Sequence, residues 1–173
     1  MSGYPLFLKL EGERCLVFGG GKVATRKIQS LVRRGARILC VSKDFTRVVR
    51  NLAKRNPSQL TLKRSSSGPG MTGGVRLVIA ATSDRAFNAR VAGICRKKKI
   101  LVNVVDDPKL CDFYVPAVLE RGPLQVAIST GGASPLFARR LREELEKAIP
   151  SSTGKLLEKL GRMRAKFVKE KKS

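Results

Sequence analysis

Short, unbroken apolar runs that alternate with amphipathic stretches leave this chain few folds to choose from. Arg14-Cys15-Leu16-Val17-Phe18, Arg37-Ile38-Leu39-Cys40-Val41, Val75–Ala80 and Ile100–Val105 are too short for core helices. They also lack the every-second-residue alternation of a half-exposed strand. Such runs read as strands buried on both faces, the situation of a parallel sheet. A weaker strand is expected at Leu60-Thr61-Leu62-Lys63. Between the runs, apolar residues recur at helical spacing (Val23, Ile28, Leu31, Val32), and further helices are predicted over Thr46–Lys54 and Ala86–Arg96. Gly35 ends the first helix, and Asp84 or Ser83 caps the third. Ser65–Gly74, rich in Ser, Gly and Pro, is expected to be a loop. With right-handed crossovers, the pattern gives an open, doubly wound α/β sheet over about residues 1–110.

The pattern then changes. Phe113–Ala117 and Leu124–Ser129 read as two strands joined by a turn at Arg121-Gly122-Pro123. A glycine turn follows, and Ser134-Pro135 is a strong helix start, serine at the N-cap and proline in the first turn. That helix is expected to stop at Pro150, and Leu156, Leu157, Leu160, Met163 and Phe167 mark one more in the basic tail. Two strands and a helix are too little to bury a core. The expected organisation is therefore a sheet domain at 1–110, a small α+β dimerisation segment at 111–150 pairing with a second copy, and a short helical tail at 151–173.

The 173 residues contain no histidine, so proton transfer must fall to Asp, Glu, Lys, Tyr or Cys, and the commonest metal ligand is missing. The four cysteines form no C-x-x-C pair and read as reduced, buried thiols rather than a metal site. No apolar run reaches the ~18 residues of a membrane span, and the first residues lack the basic-then-apolar order of a signal peptide. A cytoplasmic protein is the expectation. A formal charge of +23 favours an anionic partner of some kind without selecting one.

Four segments carry chemistry. Gly19-Gly20-Gly21-Lys22-Val23-Ala24 is a G-x-G-x-x-A between the first strand and first helix. Gly19 permits the tight turn, Gly21 lets a pyrophosphate approach the backbone, and the helix N-terminus then faces it with free N–H groups. This is the fingerprint of a Rossmann-like dinucleotide site. At the end of the second strand, Lys43-Asp44 stands where an NAD enzyme keeps a carboxylate for the ribose and an NADP enzyme a cation. NAD is the expected cofactor, although Asp44 could equally cap the next helix. Asn103-Val104-Val105-Asp106-Asp107 ends the fifth strand, where open α/β sheets bind ligands, and offers carboxylates for proton transfer or a turn cap before Pro108. Finally, Thr130, Gly131 and Ser134 precede a helix N-terminus and could cradle a carboxylate or phosphate.

In this order, together with Pro5-Leu6-Phe7, Ala80-Ala81-Thr82 and Phe113 through Pro116, these segments resemble the precorrin-2 dehydrogenase/sirohydrochlorin ferrochelatase family over about residues 4–150. The resemblance implies NAD-dependent removal of two hydrogens from precorrin-2 and an intertwined homodimer. It implies cofactor contacts from Gly19, Gly21, Lys22, Val23, Lys43, Asp44 and Thr82. Asp106 would be the catalytic general base, and Asn103, Thr130, Gly131 and Ser134 would meet the polycarboxylate substrate. Some relatives also insert iron into the product. A Rossmann module that senses a dinucleotide or binds nucleic acid is the competing class, but no nucleic-acid motif accompanies the basic runs, and the aromatic content is low.

Overall fold

The computed structural model describes residues 3–65 and 73–170. Most of the expected loop at Ser65–Gly74, namely residues 66–72, lies outside the described residues, as do 171–173 at the end of the tail. The chain divides into two compact units, Pro5–Tyr114 and a second that begins at Val115 and takes in Gly3 and Tyr4.

The first unit is built on five parallel strands, β1 (Arg14–Phe18), β2 (Arg37–Ser42), β3 (Leu60–Arg64), β4 (Leu77–Ala80) and β5 (Leu101–Val104). Their order is β3-β2-β1-β4-β5, so the chain reverses direction across the sheet between β1 and β4. Ligands of open α/β sheets bind at such a switch point. Helices α1 (Lys22–Arg33), α2 (Arg47–Arg55) and α3 (Arg85–Lys97) join the strands.

Pleating sends alternate residues to two cores. Cys15 and Val17 of β1 join Ala24, Ile28 and Leu31 of α1 and Val49 of α2 on one face. Leu16 and Phe18 join Val91, Ala92 and Cys95 of α3 on the other. There Phe18 meets Phe87 edge to face, ring centroids 5.2 Å apart. Thr46 and Asp84 cap α2 and α3, accepting from the N–H groups of Val49 and Phe87.

The second unit pairs β6 (Ala117–Arg121) with β7 (Leu124–Ile128) in an antiparallel hairpin, followed by α4 (Pro135–Ala148) and α5 (Ser152–Glu170). Arg121 closes the C-terminal end of α4, its guanidinium donating to the carbonyls of Glu146 (3.0 Å) and Ile149 (3.2 Å). The first hairpin strand starts at Ala117, where the sequence pattern had it end. Residues 111–113 are instead drawn onto the edge of β5, as described below. No described helix is long and apolar enough to cross a membrane.

Candidate active site

The turn after β1 is shaped by two close approaches. Gly19 sits at φ +113°, and a Cβ there would come within 2.3 Å of the Ala81 carbonyl oxygen. At Gly20 it would come within 2.0 Å of the carbonyl oxygen of Asp44. Side chains are excluded at both. Beyond them, Gly21 has open space where its Cβ would project. Gly21 is the N-cap of α1 in extended conformation, with no side-chain cap and no acid in the first turn. The first N–H groups of α1 therefore present a positive dipole end to an open surface, which suits the pyrophosphate of a dinucleotide.

Several contacts fix this turn. The Thr25 hydroxyl donates to the Gly21 carbonyl (2.8 Å) and lies 2.9 Å from the hydroxyl of Thr46. The Thr46 N–H donates to the Gly20 carbonyl at 3.0 Å. Beneath the turn, the Cys40 thiol donates to the Gly19 carbonyl at 3.3 Å, and burial pushes that thiol up to about 12.

At the end of β2, Asp44 does not cap α2; Thr46 does. Oδ1 of Asp44 accepts from the Phe45 N–H (2.8 Å) and from Arg50 (2.5 Å), with Arg64 at 3.6 Å. The Phe45 N–H first, then the two guanidiniums, hold this exposed carboxyl below its ordinary value.

The ends of β4 and β5 open into a cleft of about 220 Å³, lined by Thr82, Ser83, Arg85, Asn88 and the run Val104–Asp107. Asp106 is exposed at its rim and adopts φ +61°, a left-handed conformation that costs a non-glycine residue energy but that aspartate tolerates better than most. Thr82 and Asn88 brace the floor reciprocally. The Thr82 hydroxyl donates to Asn88 Oδ1 (2.7 Å), and Asn88 Nδ2 donates to the Thr82 carbonyl (3.0 Å). The Ala81–Thr82 backbone that Gly19 abuts thus continues into the wall of the cleft bearing Asp106.

Asn103 is turned inward, 7% exposed, and donates to the Phe113 carbonyl at 3.0 Å. It anchors a strap that closes the outer edge of β5. The Val104 N–H donates to the Cys111 sulfur (3.2 Å), and the Val102 N–H donates to the Asp112 carboxylate (3.0 Å). The Asp112 N–H returns a bond to the Val102 carbonyl at 2.9 Å. Burial raises the Cys111 thiol, and raises Cys15 and Cys95 to about 11, so none of these is poised as a nucleophile.

In the second unit, the Ser134 hydroxyl caps α4 by accepting from the Phe137 N–H (3.1 Å). The Thr130 hydroxyl accepts from the Ser134 N–H (3.1 Å), and Gly131, at φ +62°, donates to the Ser129 hydroxyl (3.2 Å). Both oxygens are already engaged in holding their own turn.

An NAD(P)-binding family matches residues 6–117, and the family described as sirohaem biosynthesis protein central matches residues 121–148. A solved structure of SirC, precorrin-2 dehydrogenase, superposes with a TM-score of 0.77 at 33% identity, covering 94% of this chain and 79% of that one. The chain belongs to the siroheme synthase and precorrin-2 dehydrogenase family. The siroheme synthases of Methylococcus capsulatus and Nitrosomonas europaea are 47% and 44% identical over 90% and 96% of this chain. The chain spans about a third of those relatives' length, 32% and 35%.

Within this family frame, the structure brings Thr82 and Asp106 into one cleft, and sets Gly19 and Gly21 on the turn that abuts its wall, with Lys22 and Val23 opening α1. Lys43 and Asp44 lie at the end of the neighbouring strand. Asn88 and Arg85 were missed by sequence reasoning. A signal for Asn88 existed: it occupies the helical stripe of Val91, Ala92 and Cys95, where a polar side chain must find a buried partner.

Proposed function

We propose that this chain dehydrogenates precorrin-2 to sirohydrochlorin, with NAD as the hydride acceptor. The single observation that carries the reading is the continuity of the uncapped α1 N-terminus, through Gly19 and Thr82, with the cleft that holds Asp106. NAD, when bound, takes up the hydride. The protein's share is orientation and proton handling. The N–H groups at Gly21, Lys22 and Val23 face the pyrophosphate, and the second carboxylate oxygen of Asp44 accepts from the ribose. Two hydrogens leave precorrin-2, one as hydride and one as a proton, and the Asp106 carboxylate accepts that proton as general base. A proton acceptor on a backbone locked by β5 and its strap stays where the ring carbon must come. Asn103 serves the substrate by holding that strap. Thr130, Gly131 and Ser134 are assigned to a substrate carboxylate: the Thr130 and Ser134 hydroxyls, which accept within the turn, each keep an O–H to donate to it, and Gly131 holds the turn that presents them.

The reading also includes a homodimer formed through residues 111–150, with the sheet domain at 1–110 and helix α5 as an appended tail. Leu136 and Phe137 of α4, 63% and 59% exposed, support it, as does a hairpin too small to bury a core. A cytoplasmic location accords with four free thiols.

The test is anaerobic incubation of the purified protein with precorrin-2 and NAD, following NADH absorbance. Sirohydrochlorin and NADH should form in equal amounts. A folded, NAD-binding protein that gives neither would end the proposal.

A further inference from the structure

Asp44 has unusual company. It is the only acid among residues 14–83, a stretch with 15 lysines and arginines. Two of those cations converge on it. Arg50 reaches Oδ1 from α2 at 2.5 Å, and Arg64 reaches the same oxygen from the end of β3 at 3.6 Å. Arg64 is itself held in place, its Nε donating to the Lys43 carbonyl at 2.9 Å. The Phe45 N–H donates to Oδ1 as well. Every one of these contacts falls on Oδ1, so the second oxygen of the carboxylate carries none of them.

A carboxylate at the end of the second strand ordinarily serves two ends. It accepts from the ribose hydroxyls of NAD, and by charge and bulk it rejects a 2′-phosphate. Here the first role survives on the second oxygen, but the second is offset. Two guanidiniums outweigh one carboxylate, and their forked N–H groups match phosphate oxygens as well as carboxylate oxygens. Both side chains are more than half exposed, so their guanidinium N–H groups are open to an incoming anion beside Oδ1.

We infer that Arg50 and Arg64 form a subsite for a phosphate on the adenosine ribose, so that the crevice accepts NADP as well as NAD. This rests on the dinucleotide reading of the glycine turn and adds to it a determinant of cofactor choice. Arg50 and Arg64 are specificity residues and touch no reacting atom.

The test is calorimetric binding of NAD and NADP to the full chain, with adenosine 2′,5′-bisphosphate and adenosine 5′-monophosphate as fragments. Kd for NADP should lie within about tenfold of that for NAD, and should weaken more steeply with added salt. In the doubly substituted variant Arg50→Gln/Arg64→Gln, the ratio of Kd for NADP to Kd for NAD should rise by roughly tenfold or more. Asp44→Asn should move the same ratio the other way, toward NADP. Circular dichroism and Tm establish that the variants are folded. NAD binding with NADP ~100-fold weaker, or a ratio unmoved by the double substitution, overturns the subsite and leaves the NAD site standing. Failure of both dinucleotides to bind brings down the cofactor reading and the subsite together.

Discussion

Two glycine-bearing turns, each running into a helix, make opposite use of the same local chemistry. Before α1, Gly19-Gly20-Gly21 offers no side chain to the helix N-terminus, and the N–H groups face open surface. Before α4, Ser129-Thr130-Gly131-Gly132-Ala133-Ser134 also carries a glycine pair, yet the hydroxyls of Ser129, Thr130 and Ser134 each accept from a backbone N–H of the turn or helix. Free N–H groups at a helix start cost stability and gain a binding site; satisfied ones do the reverse. Glycine content alone does not mark a phosphate site. The turn proposed to take the pyrophosphate is the one whose glycines come without a capping hydroxyl.

That contrast can be broken or sharpened in four ways. The largest effect belongs to the cleft joined to the first turn: Asp106→Asn should lower kcat by about 10²- to 10⁴-fold while NAD affinity holds, as steady-state rates and calorimetry would show. Turnover that survives the change removes Asp106 from the chemistry. Next comes Gly21→Asp, which fits sterically because nothing lies within 4 Å of the new Cβ, but which sets a carboxylate against the pyrophosphate. NAD binding should weaken by roughly 100-fold with the fold intact. If affinity is unchanged, the first turn is not the anion site. Ser134→Ala, at the second turn, should instead cost ~1 kcal/mol of stability, lowering Tm by about 2–4 °C with no change in NAD affinity.

The smallest effect vanishes at neutral pH. Cys40, beneath the first turn, and Cys15, near the start of β1, have folded-state values of about 12 and about 11 against an ordinary 9.0, so the folded chain holds these protons more tightly than the unfolded one. Their contribution is complete below pH 9 and drains away as pH climbs toward 11–12. Urea midpoints should fall over that range, and more gently in Cys40→Ala; an identical decline in the variant would rule out the thiol as the cause.

Much of the first unit was legible because its signals are local. An unbroken apolar run gave β1 at Arg14–Phe18, and the cap of α3 was narrowed to Asp84 or Ser83, of which Asp84 serves; in the second unit the Ser134 cap of α4 was equally local. The glycine fingerprint was readable from its place after β1, whereas the end of β5 offered Asp106 and Asp107 alike, and the family resemblance singled out Asp106. What escaped depends on contacts distant in sequence. Phe113, Tyr114 and Val115 have strand-forming side chains, so they read as the first hairpin strand. Their neighbours Cys111 and Asp112 instead satisfy the edge of β5, and no periodicity announces a thiol and a carboxylate standing in for backbone. Arg50 and Arg64 were likewise two cations among many until the fold set them on one oxygen of Asp44.

The strap on β5 has a consequence for how the chain is put together. An edge strand's outward N–H and C=O groups are a template on which a further strand can pair. Here one sulfur, one carboxylate and one returning amide do for β5 what a sixth strand would otherwise do. This edge of the sheet is thereby closed by two residues, Cys111 and Asp112, and the polypeptide goes on at once to a second architecture.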